Sequence, residues 1–288
     1  MIKAADIKKA AAEAVIQAST SFRPDQVRAY ERAIAHEKEG NAKWILETML
    51  KNAVVAEQEK LPLCDDTGIP YASVEIGDTA EVDGGIGSIF SAVQFGVGDG
   101  LRSLPGRPMA VKGSDQERIM QSRGLHDDPG MVVPTPIRMT TASGSKLSLT
   151  VVMLGGGPEI RSRTYRVFHR HDHSCLQKKV IDWAAEMVGA LGCTPCVPII
   201  GIGRTHYEAT CLVMDAMANK VFGEENEFEK SITSAINGTH VGALGVGGSI
   251  TALGSFVVIG PQRASGVRIV SLRVGCCIDP RRHTVVLS

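Results

Sequence analysis

Helical and strand-like stretches alternate along this chain. They predict a mixed α/β (α+β) fold, with a mixed sheet flanked by helices behind a helical N-terminal segment. Three observations carry that expectation. The first sixty residues place apolar side chains at helical spacing. Short apolar runs bounded by glycine and proline follow, as strands require. Longer amphipathic stretches separate the later runs. No repeat, low-complexity tract or linker interrupts the 288 residues. A single domain is therefore expected over 1–288, with 1–60 as its helical opening and 61–288 carrying the chemistry.

The elements follow in order. Ile2, Ile7, Ala11, Val15 and Ile16 mark a first helical stripe. Pro24 suits the start of a second helix, and Trp44, Ile45, Met49, Val54 and Val55 suggest a third. LPLCDDTGIP then breaks the pattern, and residues 71–77 alternate like a strand. Residues 85–104 read as a glycine-rich helix that packs closely against a neighbour. Residues 105–130 are polar and loop-like. Residues 137–141 and 146–154 predict a hairpin around ASGS, ending at a glycine triplet. A helix over 175–191, a buried strand over 197–203 and a helix over 206–222 come next. The chain is glycine-rich from 237 onward and predicts a last strand over 267–274.

Composition excludes several classes of function. Lys plus Arg and Asp plus Glu balance at 31 each, so no net field draws the chain to nucleic acid or to an anionic membrane. Aromatic residues make up only 5%, too few for base-stacking platforms. No run is long and apolar enough for a membrane span, and the N-terminus lacks a signal-peptide core. Seven cysteines, an odd number, do not form a secreted disulfide pattern and favour a reducing cytoplasm.

Three cysteines stand beside abrupt turns: Cys64 in LCDDTG, Cys196 in TPCVP and Cys277 in GCCIDPRR. Three thiolates on a 4Fe-4S cube leave one iron open, able to act as a Lewis acid on a hydroxyl or carboxylate. That combination suggests a hydratase. Each segment also has a plainer reading. DDTG is a common turn whose carboxylates accept backbone N–H bonds. Of Cys193 and Cys196 in C-x-x-C, one suits a ligand and the other a small buried neighbour. Gly201, Gly203 and Arg204 could hold a carboxylate at a helix start, or the glycines could serve a tight turn. His169, His171 and His173 could bind a metal from one strand face, although such polar runs are commonly solvated loops. Cys175 and Cys211 fall in helical patterns and read as core thiols. Cys276 and Cys277 point apart in an extended chain, so only one can join a cluster.

Taken together, the segments resemble the α subunit of the iron–sulfur hydro-lyases, the class I fumarase and L-tartrate dehydratase family. The resemblance rests on Cys64-Asp65-Asp66-Thr67-Gly68 against C-Q-D-T-G, and on Gly155–Gly157 after a strand. It rests further on Cys196-Val197-Pro198 with Gly201–Thr205, and on Cys277 with Arg281 and Arg282 in C-x-x-x-R-R. It covers roughly residues 40–288. Asp65 replaces a glutamine of the family pattern, Leu154 a lysine and Arg204 a glycine. Arg102 matches a family arginine segment only by its Leu-Arg pair.

The resemblance implies a 4Fe-4S cluster on Cys64, Cys196 and Cys277, with Asp66 handling or orienting a proton. Asp65, Thr67, Arg102, Gly156, Gly157, Arg204 and Arg281 would surround a small dicarboxylate. Fumarate hydration is the leading reaction, and tartrate or substituted-malate dehydration the alternative. A separate β subunit would supply further contacts and the base, giving an oligomer. A non-catalytic iron or redox sensor, and a Cys193/Cys196 thiol oxidoreductase, are the competing readings from other classes.

Overall fold

The computed structural model describes residues 1–288, which divide into two compact units assembled from alternating stretches of chain. The first contains Met1–Ser21, Ala53–Gly155 and Arg281–Ser288. The second contains Phe22–Asn52 and Gly156–Pro280. The helical opening is therefore not a unit of its own. Helix α1 (Ala4–Thr20) belongs to the first, α2 (Pro24–His36) to the second, and α3 (Gly40–Glu59) contributes to both. The stripe expected for α3 is only partly its buried face: Ile45 and Leu46 are buried, whereas Trp44, Val54 and Val55 are exposed.

The first unit has a four-stranded sheet in the order β2-β1-β3-β8, with β1 (Ile69–Gly77), β2 (Arg138–Ala142), β3 (Leu147–Leu154) and β8 (Arg281–Leu287). Strand alternation sends Ala72, Val74 and Ile76 of β1, and Leu147, Leu149, Val151 and Met153 of β3, into one apolar core. Helices α1 and α4 (Gly85–Ser103) bring Ile7, Ala11, Val15, Val93 and Val97 to the same core. The glycines of α4 explain how closely the helices approach. A Cβ on Gly96 would lie 2.1 Å from the Lys8 carbonyl oxygen, and one on Gly100 2.8 Å from that of Ala12.

The expected hairpin between β2 and β3 does not form. Strand β1 lies between them, parallel to β2 and antiparallel to β3. The end of β1 occupies the ASGS turn: Gly77 donates to the Lys146 carbonyl at 2.8 Å, and Asp78 to that of Ala142 at 2.8 Å. Each of the two flanking strands thus finds its ladder partner in β1 rather than in the other. Within 105–130 a short helix, α5 (Asp115–Met120), interrupts the expected loop, started by a Ser114–Glu117 capping box.

The second unit has the sheet β4-β7-β5-β6, comprising β4 (Arg163–Phe168), β7 (Val267–Gly275), β5 (Val197–Gly203) and β6 (Phe256–Ile259). Strand β7 runs antiparallel to β4 and β5, while β5 and β6 are parallel. Strands β4, β5 and β6 therefore end at the same edge. Every residue of β5 is buried, as expected of a strand covered on both faces. On one face Ile200, Ile202, Val270 and Leu272 pack with α7 (His173–Gly189) and α9 (Glu227–Asn237). On the other lies α8 (His206–Asn219), so close that a Cβ on Gly201 would stand 2.1 Å from the Ala209 carbonyl oxygen. Strands β4, β6 and β8 and helix α9 were not anticipated.

Candidate active site

The turn at Cys64 is held from beneath by an arginine. Arg281 opens β8, is 3% exposed, and donates Nη1 to the carbonyls of Asp66 (3.0 Å) and Thr67 (3.3 Å). Gly68 completes the turn at φ 85°, and a Cβ there would meet Arg281 Nη2 at 2.7 Å and the Leu154 oxygen at 2.8 Å. Glycine is required here by both conformation and space. Arg281 is thus committed to the backbone of the turn instead of standing open to a carboxylate, and its Nε is buried without a partner.

Above that brace, the half-buried Cys64 thiol lies 3.5 Å from Asp65 Oδ1. Thr67 is buried, and its hydroxyl donates to the Arg107 carbonyl at 3.3 Å. The Arg107 guanidinium approaches Asp66 Oδ1 at 3.8 Å, a long contact between partly exposed groups. Arg107, not Arg102, is therefore the arginine that approaches this turn. Arg102 points elsewhere, bound to Asp128 at 2.9 Å and to Asp99 at 3.1 Å. The signal in the sequence was the segment Pro105-Gly106-Arg107, whose glycine presses on Thr67 so tightly that a Cβ would lie 2.5 Å from its hydroxyl.

The glycine triplet follows β3, as expected. Gly155 ends the first unit's stretch of chain, while Gly156 and Gly157 open the short helix α6 (Gly156–Ile160) of the second. The Gly157 carbonyl accepts from Arg161 Nη1 at 2.9 Å.

In the second unit four cysteines gather where β5 begins and β7 ends. The Cys277 N–H donates to the Cys193 carbonyl at 2.9 Å, which ties the two turns together. Helix α2 braces the second turn along one face, a role the sequence did not reveal. Arg23 donates to the Pro280 carbonyl, Gln26 Nε2 to that of Ile278 at 3.0 Å, and the Tyr30 hydroxyl to that of Cys277 at 2.7 Å. Asp279 is fully buried, with Oδ2 accepting from the Cys276 N–H at 3.2 Å.

The four thiols are not equivalent. Cys196 is wholly buried and shares the α7/α9 face of the sheet with Ile200 and Ile202, as its place two residues before Pro198 dictates. Cys276 packs against the same apolar cluster. Burial pushes the Cys196 thiol far above its usual range. Cys277 is also raised, first by the hydrogen bond its thiol gives to Cys276 and then by burial. Cys193 is exposed.

Thiols are the donors that an iron–sulfur cluster takes, so the chemistry of this corner fits the group. Neither Cys277 nor Cys193 belongs to the apolar cluster. Cys196, which the resemblance selects, directs its sulfur into the apolar core. None of the seven cysteines forms a disulfide, and no three His, Cys, Asp or Glu side chains stand at the spacing of a single-ion metal site.

Arg204 lies at the far end of β5 from these cysteines, and eight residues of extended chain span roughly 25 Å. Its guanidinium is engaged by Glu208 at 2.7 Å, whose carboxyl the Arg204 hydrogen bonds hold below the usual range. Gly201 and Gly203 serve the close packing of α8. The histidine run also departs from a ligand set. His169 contacts the Ser265 carbonyl through Nε2 at 2.9 Å and accepts the His171 N–H on Nδ1 at 3.0 Å, so both ring nitrogens are occupied.

A family model described as fumarate hydratase (Fumerase) matches residues 8–286. The chain is also 29% identical over 265 residues to a protein of Methanocaldococcus jannaschii (strain ATCC 43067 / DSM 2661 / JAL-1 / JCM 10045 / NBRC 100440) named "Putative L(+)-tartrate dehydratase subunit alpha". The match covers 90% of this chain and 88% of that relative.

Proposed function

Since the chain belongs to the fumarate hydratase family and is a hydro-lyase of the fumarate hydratase/tartrate dehydratase type, we propose that it acts on fumarate and malate, as the α subunit of a 4Fe-4S enzyme. The match across nearly the whole chain carries this reading, and the cysteine corner supports it. Cys64, Cys277 and one thiol of the Cys193–Cys196 turn would hold the cluster. When bound, that group supplies an electrophilic iron that can polarise a hydroxyl or carboxylate oxygen.

The chain's own residues divide the remaining work. Asp66 lies in a turn whose backbone Arg281 holds in place, with Arg107 beside its carboxylate. A carboxyl group so placed is within reach of a substrate proton, which it could accept or orient. Arg107 supplies a positive charge for a substrate carboxylate. A partner subunit would complete the site, consistent with the "subunit alpha" in the relative's name. Tartrate dehydration is the second reading, favoured by the same name. No helix is long and apolar enough to cross a membrane. A cytoplasmic location is part of the proposal, supported by seven cysteines without a disulfide.

The test is anaerobic reconstitution with iron and sulfide, alone and with a candidate β chain, followed by ultraviolet assays on fumarate, malate and L-tartrate. Fumarate–malate interconversion supports the first reading, and oxaloacetate from tartrate the second. Cluster-loaded, partnered protein inert to all of them would overturn both.

A further inference from the structure

At the opposite edge of the second unit's sheet from its cysteines, a cavity of about 320 Å³ opens where β4, β5 and β6 end. Carboxyl ends of parallel strands are where open sheets commonly receive ligands. Leu176, Ile202 and Ile259 form an apolar wall, and His171, His173 and Arg268 supply the polar side.

The guanidinium of the lining forms no ion pair. Arg268 directs Nη1 to the carbonyls of Ser265 (2.9 Å) and Val267 (3.0 Å) and has no carboxylate partner. Asp172, the acid of the lining, is occupied in capping α7 through the Ser174 N–H at 2.8 Å and hydroxyl at 2.7 Å. Gln262 is likewise spent, giving Nε2 to the carbonyls of Ile202 (3.1 Å) and Gly260 (2.8 Å). His171 is held over the cavity at φ 55°, its ring meeting the edge of His169 at 5.1 Å. The cavity thus combines a guanidinium without an ion-pair partner, three imidazoles, one carboxylate engaged in a helix cap, and a hydrocarbon wall.

We propose that this cavity binds a small organic monoanion with a hydrocarbon body, a medium-chain or aromatic carboxylate. The carboxylate faces Arg268 and His171, and the body lies on Leu176, Ile202 and Ile259. The volume is near the lower end for small-molecule pockets, which suits such a ligand. The site is separate from the cysteine corner and does not depend on the proposed reaction.

Titration calorimetry on the full chain tests this with acetate, butyrate, hexanoate, benzoate, inorganic phosphate and neutral hexanamide. Affinity should rise about fourfold for each methylene that reaches the wall. Hexanamide should bind at least ~10-fold more weakly than hexanoate, the loss expected when a charge-assisted bond is removed. Arg268→Gln should weaken hexanoate by a similar factor. Because Arg268 also holds its loop, His171→Asn serves as a second variant, keeping a residue that tolerates the left-handed backbone and lowering affinity about threefold. Cys277→Ser, at the other edge, should leave hexanoate binding unchanged. The site is refuted if wild type shows no saturable carboxylate binding, or if acetate, phosphate and hexanoate bind alike. It is equally refuted if both cavity variants bind as wild type does, or if Cys277→Ser abolishes binding.

Discussion

The backbone N–H of Cys277 donates to the carbonyl of Cys193 at 2.9 Å, while Cys196, three residues on from Cys193, buries its sulfur among Ile200 and Ile202. The cysteine variants should therefore separate into two phenotypes. Cys193→Ser and Cys277→Ser should cut iron per reconstituted chain severalfold with little change in the denaturation midpoint. Cys196→Ser should retain iron and lose about 1–3 kcal/mol, because a hydroxyl replaces a thiol in an apolar setting. Iron analysis with EPR, beside urea unfolding, reads both. Iron loss in Cys196→Ser with a normal midpoint would restore that residue as the ligand.

Arg281 is a brace for the Cys64 turn. Arg281→Met leaves the carbonyls of Asp66 and Thr67 without their donor. The cost should be on the order of 2 kcal/mol, typical of a hydrogen bond to a charged group. Urea unfolding measures it. A variant as stable as wild type, with activity lost only through a raised KM, would return Arg281 to the substrate.

Glu37 forms a pH-sensitive clamp on the glycine-rich loop after residue 245. Its carboxylate accepts the N–H groups of Lys38 (2.8 Å), Glu39 (3.0 Å), Ser249 (2.9 Å) and Ile250 (2.9 Å). Burial pushes its pKa up, but these bonds outweigh it and lower the value from 4.5 to about 2. A carboxyl depressed in the folded state stabilises above its unfolded value and loses that contribution as pH falls toward the folded one. Stability should thus drop between about pH 4.5 and 2, and Glu37→Gln should flatten that part of the curve while costing on the order of 2 kcal/mol at pH 7. Thermal melts across the range decide it.

Gly96→Ala tests the contact between α1 and α4. Helix propensity alone favours alanine by about 1 kcal/mol. The added methyl would meet a backbone oxygen at 2.1 Å, and such overpacking costs about 1–3 kcal/mol, so net destabilisation is expected. Gly87→Ala on the same helix meets nothing within 4 Å and should be neutral or stabilising. Opposite signs in calorimetric melting support the packing account, and equal signs would overturn it.

Periodicity made α1, α4, α7, β5 and β7 legible, because each buries a complete face. Helix α9 has a capping box of Asn226 and Glu229 at its start but buries only Glu229, Ile232 and Ile236, too short an apolar stripe to be legible in the sequence. Arg281 was expected beside the substrate from its place in C-x-x-x-R-R, yet it and Arg282 lie buried in β8, where the charge of the first is satisfied by a turn more than two hundred residues earlier in the chain. The β2–β3 hairpin failed for a related reason: ladder partners are chosen in three dimensions, and proximity in sequence cannot show that β1 comes between. At the site, the Leu-Arg pair marks Arg102 in the sequence, while the glycine contact that places Arg107 has no periodic signature. Arg204 was assigned by motif order, which does not reveal which end of a strand a residue occupies.

The interleaved segments also set an order of assembly during synthesis. Residues 22–280 contain everything the second unit needs, whereas the first unit's sheet waits for β8. Until Arg281–Leu287 leave the ribosome, β3 presents an unpaired edge and the Cys64 turn lacks its brace. The nascent chain therefore carries a sticky strand from the synthesis of β3 until that of β8, a window in which chaperone capture or self-association competes with folding.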